Sequence, residues 1–233
     1  MFIAYNGTVY FYQALIMSLK VTNPNHEFKN TKKTIFGLMM CGLFLLLNGC
    51  SSTVDLFHVY ANLHNTGQSI ERSGNPVSNE RRLQNAIKIC TKEEDKDCLS
   101  VAHQYYGHLY RSKRVIAEQD YYLKNGFIEP NVTYENKYHY SAKHFKKAIS
   151  YLDSTNDQEA ISLLYIQLSL SYYLIADPIK ECDALDKSLA FHLEAYPNDD
   201  ISVEKVPLSF ERLSDYIEYQ KQRAGCDKLT IKS

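Results

Sequence analysis

Two histidine pairs, His103/His108 and His139/His144, are the residues of this sequence best suited to chemistry, as metal ligands or general bases. The members of each pair lie five positions apart. On a helix that spacing sets the two rings well off a common face. An H-E-x-x-H zinc motif needs a separation of four and an intervening glutamate. The histidines therefore read as packed or solvated side chains. No serine stands in a G-x-S-x-G setting, and no glycine-rich loop is present to cradle a phosphate. The acidic run at 92–97, KEEDKD, lacks the glycine and closing glutamate of a calcium loop. Asp177, Asp183, Asp186, Asp199 and Asp200 are scattered over loops and helix starts. The expectation is no catalytic constellation, no metal site and no cofactor.

Cysteine is the remaining reactive type. Cys41 falls inside an apolar run and Cys50 just after it, which leaves Cys90, Cys98, Cys182 and Cys226. Four cysteines in an oxidising compartment read as two disulfides, with three possible pairings. Spacing favours Cys90–Cys98 and Cys182–Cys226.

The elements that would position these residues are helices. Leu56, Phe57, Tyr60 and Leu63 recur at helical spacing, in a short first helix or partly in a tether. Leu83, Ala86, Ile87 and Cys90 form a clearer stripe, and 92–97 reads as a solvated turn. Asp97 is placed to cap a helix carrying Leu99, Ala102, Tyr106, Leu109 and Tyr110. A shorter helix is expected over 115–125, stopped by Gly126, and a long one over 135–152. Residues 158–175, capped by Asp157, are apolar almost all round, as in a helix packed on several sides. Asp177-Pro178 opens the next helix, Pro207 the last, and Gly225 ends it. No strand-like alternation competes. The fold class is all-α, built of antiparallel helical hairpins.

The start of the chain has a different character. Lys29, Lys32 and Lys33 precede the apolar residues 34–47, TIFGLMMCGLFLLL, which stop at Asn48-Gly49. Positive charge followed by roughly 7–15 apolar residues is the pattern of a secretory signal peptide, whereas crossing a bilayer takes about 20. Leu47-Asn48-Gly49-Cys50 resembles the lipobox of bacterial lipoproteins. That resemblance implies cleavage before Cys50, acylation of Cys50 and membrane attachment through the lipid. Ser51 stands where an aspartate would favour inner-membrane retention, which implies outer-membrane anchoring facing the periplasm. Residues 1–16 carry no positive charge, so translation is expected to start at Met17. The expected organisation is a leader and signal peptide at 1–49, a lipid-anchored segment at 50–76 and an α-helical repeat domain at 77–233.

Removing 1–49 takes away four lysines and one glutamate. Lys+Arg falls from 26 to 22 and Asp+Glu from 27 to 26, for a net charge near −4. A basic nucleic-acid footprint is absent. The 19 tyrosines and no tryptophan suit helix packing, where the ring fills space and the hydroxyl reaches a polar group.

Tyr106-Gly107-x-x-Tyr110 and Tyr165-x-x-Leu168-Ser169-x-x-Tyr172 resemble the first helix of a tetratricopeptide repeat. Phe145-x-x-Ala148 with Asp153 resembles the second helix, and Leu185-x-x-Ser188 is a weaker copy 40 residues on. The family's period is about 34, so irregular connections are expected. Glu181 stands where the second helix wants alanine. The resemblance implies a short solenoid whose inner groove is lined by first-helix residues: Gln104, His108 and Arg111 in the first copy, Ile166, Leu170 and Tyr173 in the second. The polar set is expected to be exposed and to contact a partner, with Arg111 as anchor. The apolar set is expected to be buried under the C-terminal helix. The functional expectation is a non-catalytic envelope lipoprotein that holds a protein partner in secretion, pilus or cell-wall machinery. The alternative is a peptidoglycan- or glycan-associated protein that uses its tyrosines as stacking surfaces.

Overall fold

Asn75, Asp95, Asp157 and Asp177 begin four helices by the same device. Each side-chain oxygen accepts from the backbone N–H three residues on, at 2.8, 2.9, 3.0 and 3.1 Å respectively, satisfying a donor the helix leaves unpaired. The helices come from a computed structural model that describes residues 56–152, 157–199 and 210–229. The leader and Cys50 lie outside the described residues. α1 covers 56–71. It is followed by α2 (Pro76–Lys92), α3 (Lys96–Arg111), α4 (Lys113–Ala117), α5 (Gln119–Asn125) and α6 (Lys137–Leu152), then α7 (Gln158–Ile175), α8 (Pro178–Ala195), α9 (Leu213–Ala224) and α10 (Cys226–Leu229). Among the described residues there is no strand, and no helix is long and apolar enough to cross a membrane.

Several boundaries differ from expectation. The cap of α3 is Asp95, not Asp97, because Asp95 reaches Cys98 N while Asp97 already lies in the first turn. The helix expected over 115–125 is two short ones, broken at Glu118. α9 opens at Leu213; Pro207, expected to open it, lies outside the described residues. In α1 the buried face is Val59, Leu63, Thr66 and Ile70, whereas Phe57 is 72% exposed. Tyr60 donates its hydroxyl to the Asp95 carboxylate, so it ties α1 to the α2–α3 turn instead of filling the core. A Cβ on Gly67 would sit 2.5 Å from the Tyr105 ring, so α1 lies against α3 and is part of the helical body.

Packing follows chain order, α2 on α3, α3 on α6, α6 on α7, α7 on α8 and α8 on α9. Small residues set the close approaches. A Cβ on Gly107 would meet the Phe145 ring at 2.5 Å, and Ser141 Oγ donates to Gly107 O at 2.8 Å. Ser162 and Ser188 exchange hydroxyl-to-carbonyl bonds between α7 and α8, at 2.8 and 2.9 Å. Apolar clusters result among the described residues. One joins α6, α7 and α8 through Phe145, Ile149, Ile161, Leu164, Leu168 and Ala184. Another joins α7, α8 and α9 through Ile166, Leu185, Leu213 and Ile217. α7 is not covered all round, since Leu170 and Tyr173 are 40% and 51% exposed. α7 turns sharply into α8 at Ala176, which is left-handed at φ 61, with Asp177 N bonded to Tyr172 O.

Candidate functional site

α3 projects His103, Tyr106 and Tyr110 inward at i, i+3 and i+7, one face of a helix. α6 sends His144 into the same space. The loop 126–136 brings Glu129, whose backbone N–H donates to the buried Glu80 of α2 at 2.8 Å. His103 Nδ1 and His144 Nδ1 are 2.8 Å apart, so one donates and the other accepts. His144 Nε2 lies 2.7 Å from Glu129 Oε2, and Tyr110 donates to the same oxygen at 2.7 Å. Neutral rings satisfy every contact, with the proton on Nδ1 of His103 and on Nε2 of His144.

Burial, followed by the His144 ring, pushes the His103 imidazole down to about 3. Burial also lowers His144, against the pull of Glu129. Glu129 itself is held below its usual value: burial would raise it, but hydrogen bonds from His144 and Tyr110 outweigh that. The Glu80 carboxyl is raised by burial. Tyr106 stacks on His144 at 4.5 Å, and both imidazoles are only 3% exposed. Chemically the chain can pass a proton from His103 to Glu129, yet each member is engaged by another. The pairing joins one member of each sequence pair. His108 instead lies 3.3 Å from Arg111, and His139 is exposed.

A second polar cluster lies beyond α8. His192 Nε2 and Ser214 Oγ both bond the Asp199 carboxylate. A nucleophilic serine needs the imidazole at its own oxygen, and here the carboxylate stands between them. Burial would raise Asp199, but the Ser214 and His192 contacts hold it low. The cluster fastens the end of α8 to the start of α9. Among the described residues no group of three His, Cys, Asp or Glu could hold a metal ion.

Gln104, His108 and Arg111 are half-buried rather than exposed. Arg111 donates to Gln167 O at 2.8 Å and to Gln167 Oε1 at 2.7 Å, and lies 4.7 Å over the Phe145 ring. Its guanidinium fastens α3 to α7, which corrects the expectation of a free anchor. His108 meets the Phe145 ring edge-on at 5.1 Å. Of the apolar set, Ile166 is buried under α9, while Leu170 and Tyr173 stay exposed. Glu181 is buried and takes Arg223 at 3.1 Å, which explains a carboxylate where alanine was expected. Cys90–Cys98 and Cys182–Cys226 both lie at disulfide distance, with Cα atoms 5.7 and 5.6 Å apart.

An open groove of about 510 Å³ runs over the outer face of α6, walled on the far side by the α7–α8 corner. It is lined by Lys143, Lys146 and Lys147 from α6, by Lys180 from α8, and by Tyr172 and Ile175 from α7. Lys146 and Lys180 stand 5.8 Å from the same Tyr172 ring. Spacing within α6 does not reveal this grouping, because the opposite wall comes from residues some thirty positions away. Compared with protein-family models, curated proteins and solved structures, the chain matches none.

Proposed function

We propose that this protein is a non-catalytic adaptor, exported and lipid-anchored at Cys50, whose helical hairpins hold a protein partner in a bacterial cell envelope. The observation that carries the reading is the division of its polar groups. Histidine, glutamate and tyrosine close on one another inside the body, and open surface charge gathers in a groove. The cysteine pairs at disulfide distance support an oxidising compartment. The Gly107–Phe145 approach and the chain-order packing support tetratricopeptide-like hairpins. The α3–α6 hairpin departs from that pattern in having α4, α5 and the loop 126–136 inserted between its two helices. Tyr106, Tyr110 and Tyr122 are fully buried, which favours packing over a sugar-stacking role for the core tyrosines.

Crosslinking in the native envelope, followed by mass spectrometry, tests the reading. Wild-type protein should carry acyl chains at Cys50 and recover a defined protein partner. Cys50→Ser should accumulate unprocessed and unacylated. Retention on isolated peptidoglycan with no protein crosslink would replace the adaptor with the cell-wall alternative.

A further inference from the structure

We propose that the groove between α6 and the α7–α8 corner binds an acidic polypeptide segment, whose carboxylates meet Lys143, Lys146, Lys147 and Lys180 and whose apolar side chains rest on Tyr172 and Ile175. The inference rests on the adaptor reading and names the chemistry of its partner.

Charge carries the first step. The whole chain has a net charge of −1, yet no acidic residue lines this groove. Lys180 pairs with Asp177 at its edge, at 2.6 Å. Lys143, Lys146 and Lys147 make no ion pair with a described carboxylate and are exposed. The nearby Glu129 is already engaged by His144 and Tyr110. The three ammonium groups of α6, gathered without an ion-pair partner, repel one another and focus a positive potential over the groove, which draws an anionic partner.

Geometry chooses among anions. Lys143, Lys146 and Lys147 recur at i, i+3 and i+4, so their Cβ atoms are about 5–6 Å apart along the helix face. That dispersed spacing suits side-chain carboxylates along a peptide. A phosphate group would prefer converging donors, such as a guanidinium fork or free helix N-terminal amides. Neither is present: no arginine lines the groove, and the amide of Lys180 at the start of α8 is taken by Asp177. Between the lysines the groove offers the half-buried Ile175 and the edge of Tyr172, which is 7% exposed, a small apolar contact for a chain whose charged residues are spaced by apolar ones.

The test uses the full chain and a labelled synthetic peptide of about twelve residues, rich in glutamate with interspersed leucine, followed by fluorescence anisotropy. Binding is expected at low salt and should weaken as salt screens the lysines. The peptide with glutamine for glutamate should not bind. Lys143→Glu with Lys147→Glu should weaken binding at least about tenfold without changing the helical signal or melting. If that double variant fails to fold, Lys143→Gln with Lys147→Gln serves in its place. Equal binding by variant and wild type overturns the proposal. Preference for anionic phospholipid vesicles, or displacement of the peptide by inorganic phosphate at millimolar level, overturns it in favour of a phosphate ligand. A native partner crosslinked equally by variant and wild type would sink the groove alone. Absence of any partner with wild type would sink the adaptor reading.

Discussion

Between α3 and α6 the interior is joined by imidazole, phenol and carboxylate; between α7, α8 and α9 it is joined mainly by leucine, isoleucine and a cysteine pair. The Glu181–Arg223 and His192–Asp199–Ser214 contacts are set apart from that apolar cluster. Both regions are buried helix interfaces, but they fail differently. An apolar interface loses stability in proportion to the area uncovered and ignores pH. A polar interface depends on every member keeping one protonation state, because a buried group without its partner costs more than the bond contributes. The C-terminal region should therefore answer mainly to covalent and packing changes, with Asp199 and Glu181 adding a response only in the carboxylate range. The N-terminal region should answer first to protons.

The largest expected effect is covalent. Cys182–Cys226 closes a separation of 44 residues and Cys90–Cys98 one of 8. On the chain-entropy account, replacing the first pair by serine should cost about 4 kcal/mol and the second about 2.5 kcal/mol. The longer link also holds α10 and α9 against α8. Urea titration of the two double-serine variants measures both. Equal losses would mean that the α2–α3 turn and the C-terminal helices depend alike on their links, and the contrast in materials would lose half its content.

The second effect is a pH dependence. The His103 imidazole sits at about 3 when folded, below its ordinary 6.5, so the unfolded chain binds a proton that the folded chain refuses. Stability from this group is complete above the ordinary value and falls as pH drops toward the folded one. His144 is also lowered and acts in the same sense. Glu129, held low, adds to the loss only below its ordinary value. Glu80, raised, acts oppositely and stabilises the fold once protonated. Going from about pH 7 to about pH 5 should cost roughly 2 kcal/mol through His103. Hydrogen exchange locates the loss: amides of α3 and α6 should lose protection first, and those of α7 and α8 later. Loss of protection that is uniform across the helices would show that the buried imidazoles do not set the acid limit.

The two regions were also unequally legible in the sequence. Asp157, Asp177, Pro178 and Gly225 mark helix ends through bonds within a few residues, so those boundaries can be read locally. Cys90 and Cys98 lie only 8 residues apart across one turn, and with that pair assigned Cys182 and Cys226 are the two that remain. His103 and His144 are 41 residues apart and meet only because α3 packs on α6, so spacing within either helix points away from the pair. Arg111 is misread for the same reason. Its partner Gln167 lies 56 residues on, and only the packed helices show that the guanidinium is occupied. Phe57 and Tyr60 fit a helical stripe by type, but the buried face of α1 is one residue out of step with them. A period shows that a face exists, and its neighbours decide which face is covered.

The smallest expected effect is a control on the comparison. Asp95 caps α3 in the polar region, and Asp157 caps α7 in the apolar one, through bonds of 2.9 and 3.0 Å. A cap satisfies a backbone donor at the helix end, whatever lies under the helix, so each change to alanine should cost about 1 kcal/mol. Asp95 also accepts the Tyr60 hydroxyl at 3.1 Å, an exposed bond that adds at most a few tenths of a kcal/mol, about what solvent leaves of it. Asp97, exposed in the first turn of α3, should change to alanine within about 0.5 kcal/mol, as surface substitutions do. Denaturant titrations of Asp95→Ala, Asp157→Ala and Asp97→Ala at one neutral pH decide the matter. Near-equal losses for the first two would place the difference between the regions in their cores. A loss at Asp95 exceeding about 2 kcal/mol, with Asp157 at about 1 kcal/mol, would instead mean that the start of α3 shares in the polar network, because a local cap alone does not go beyond that size.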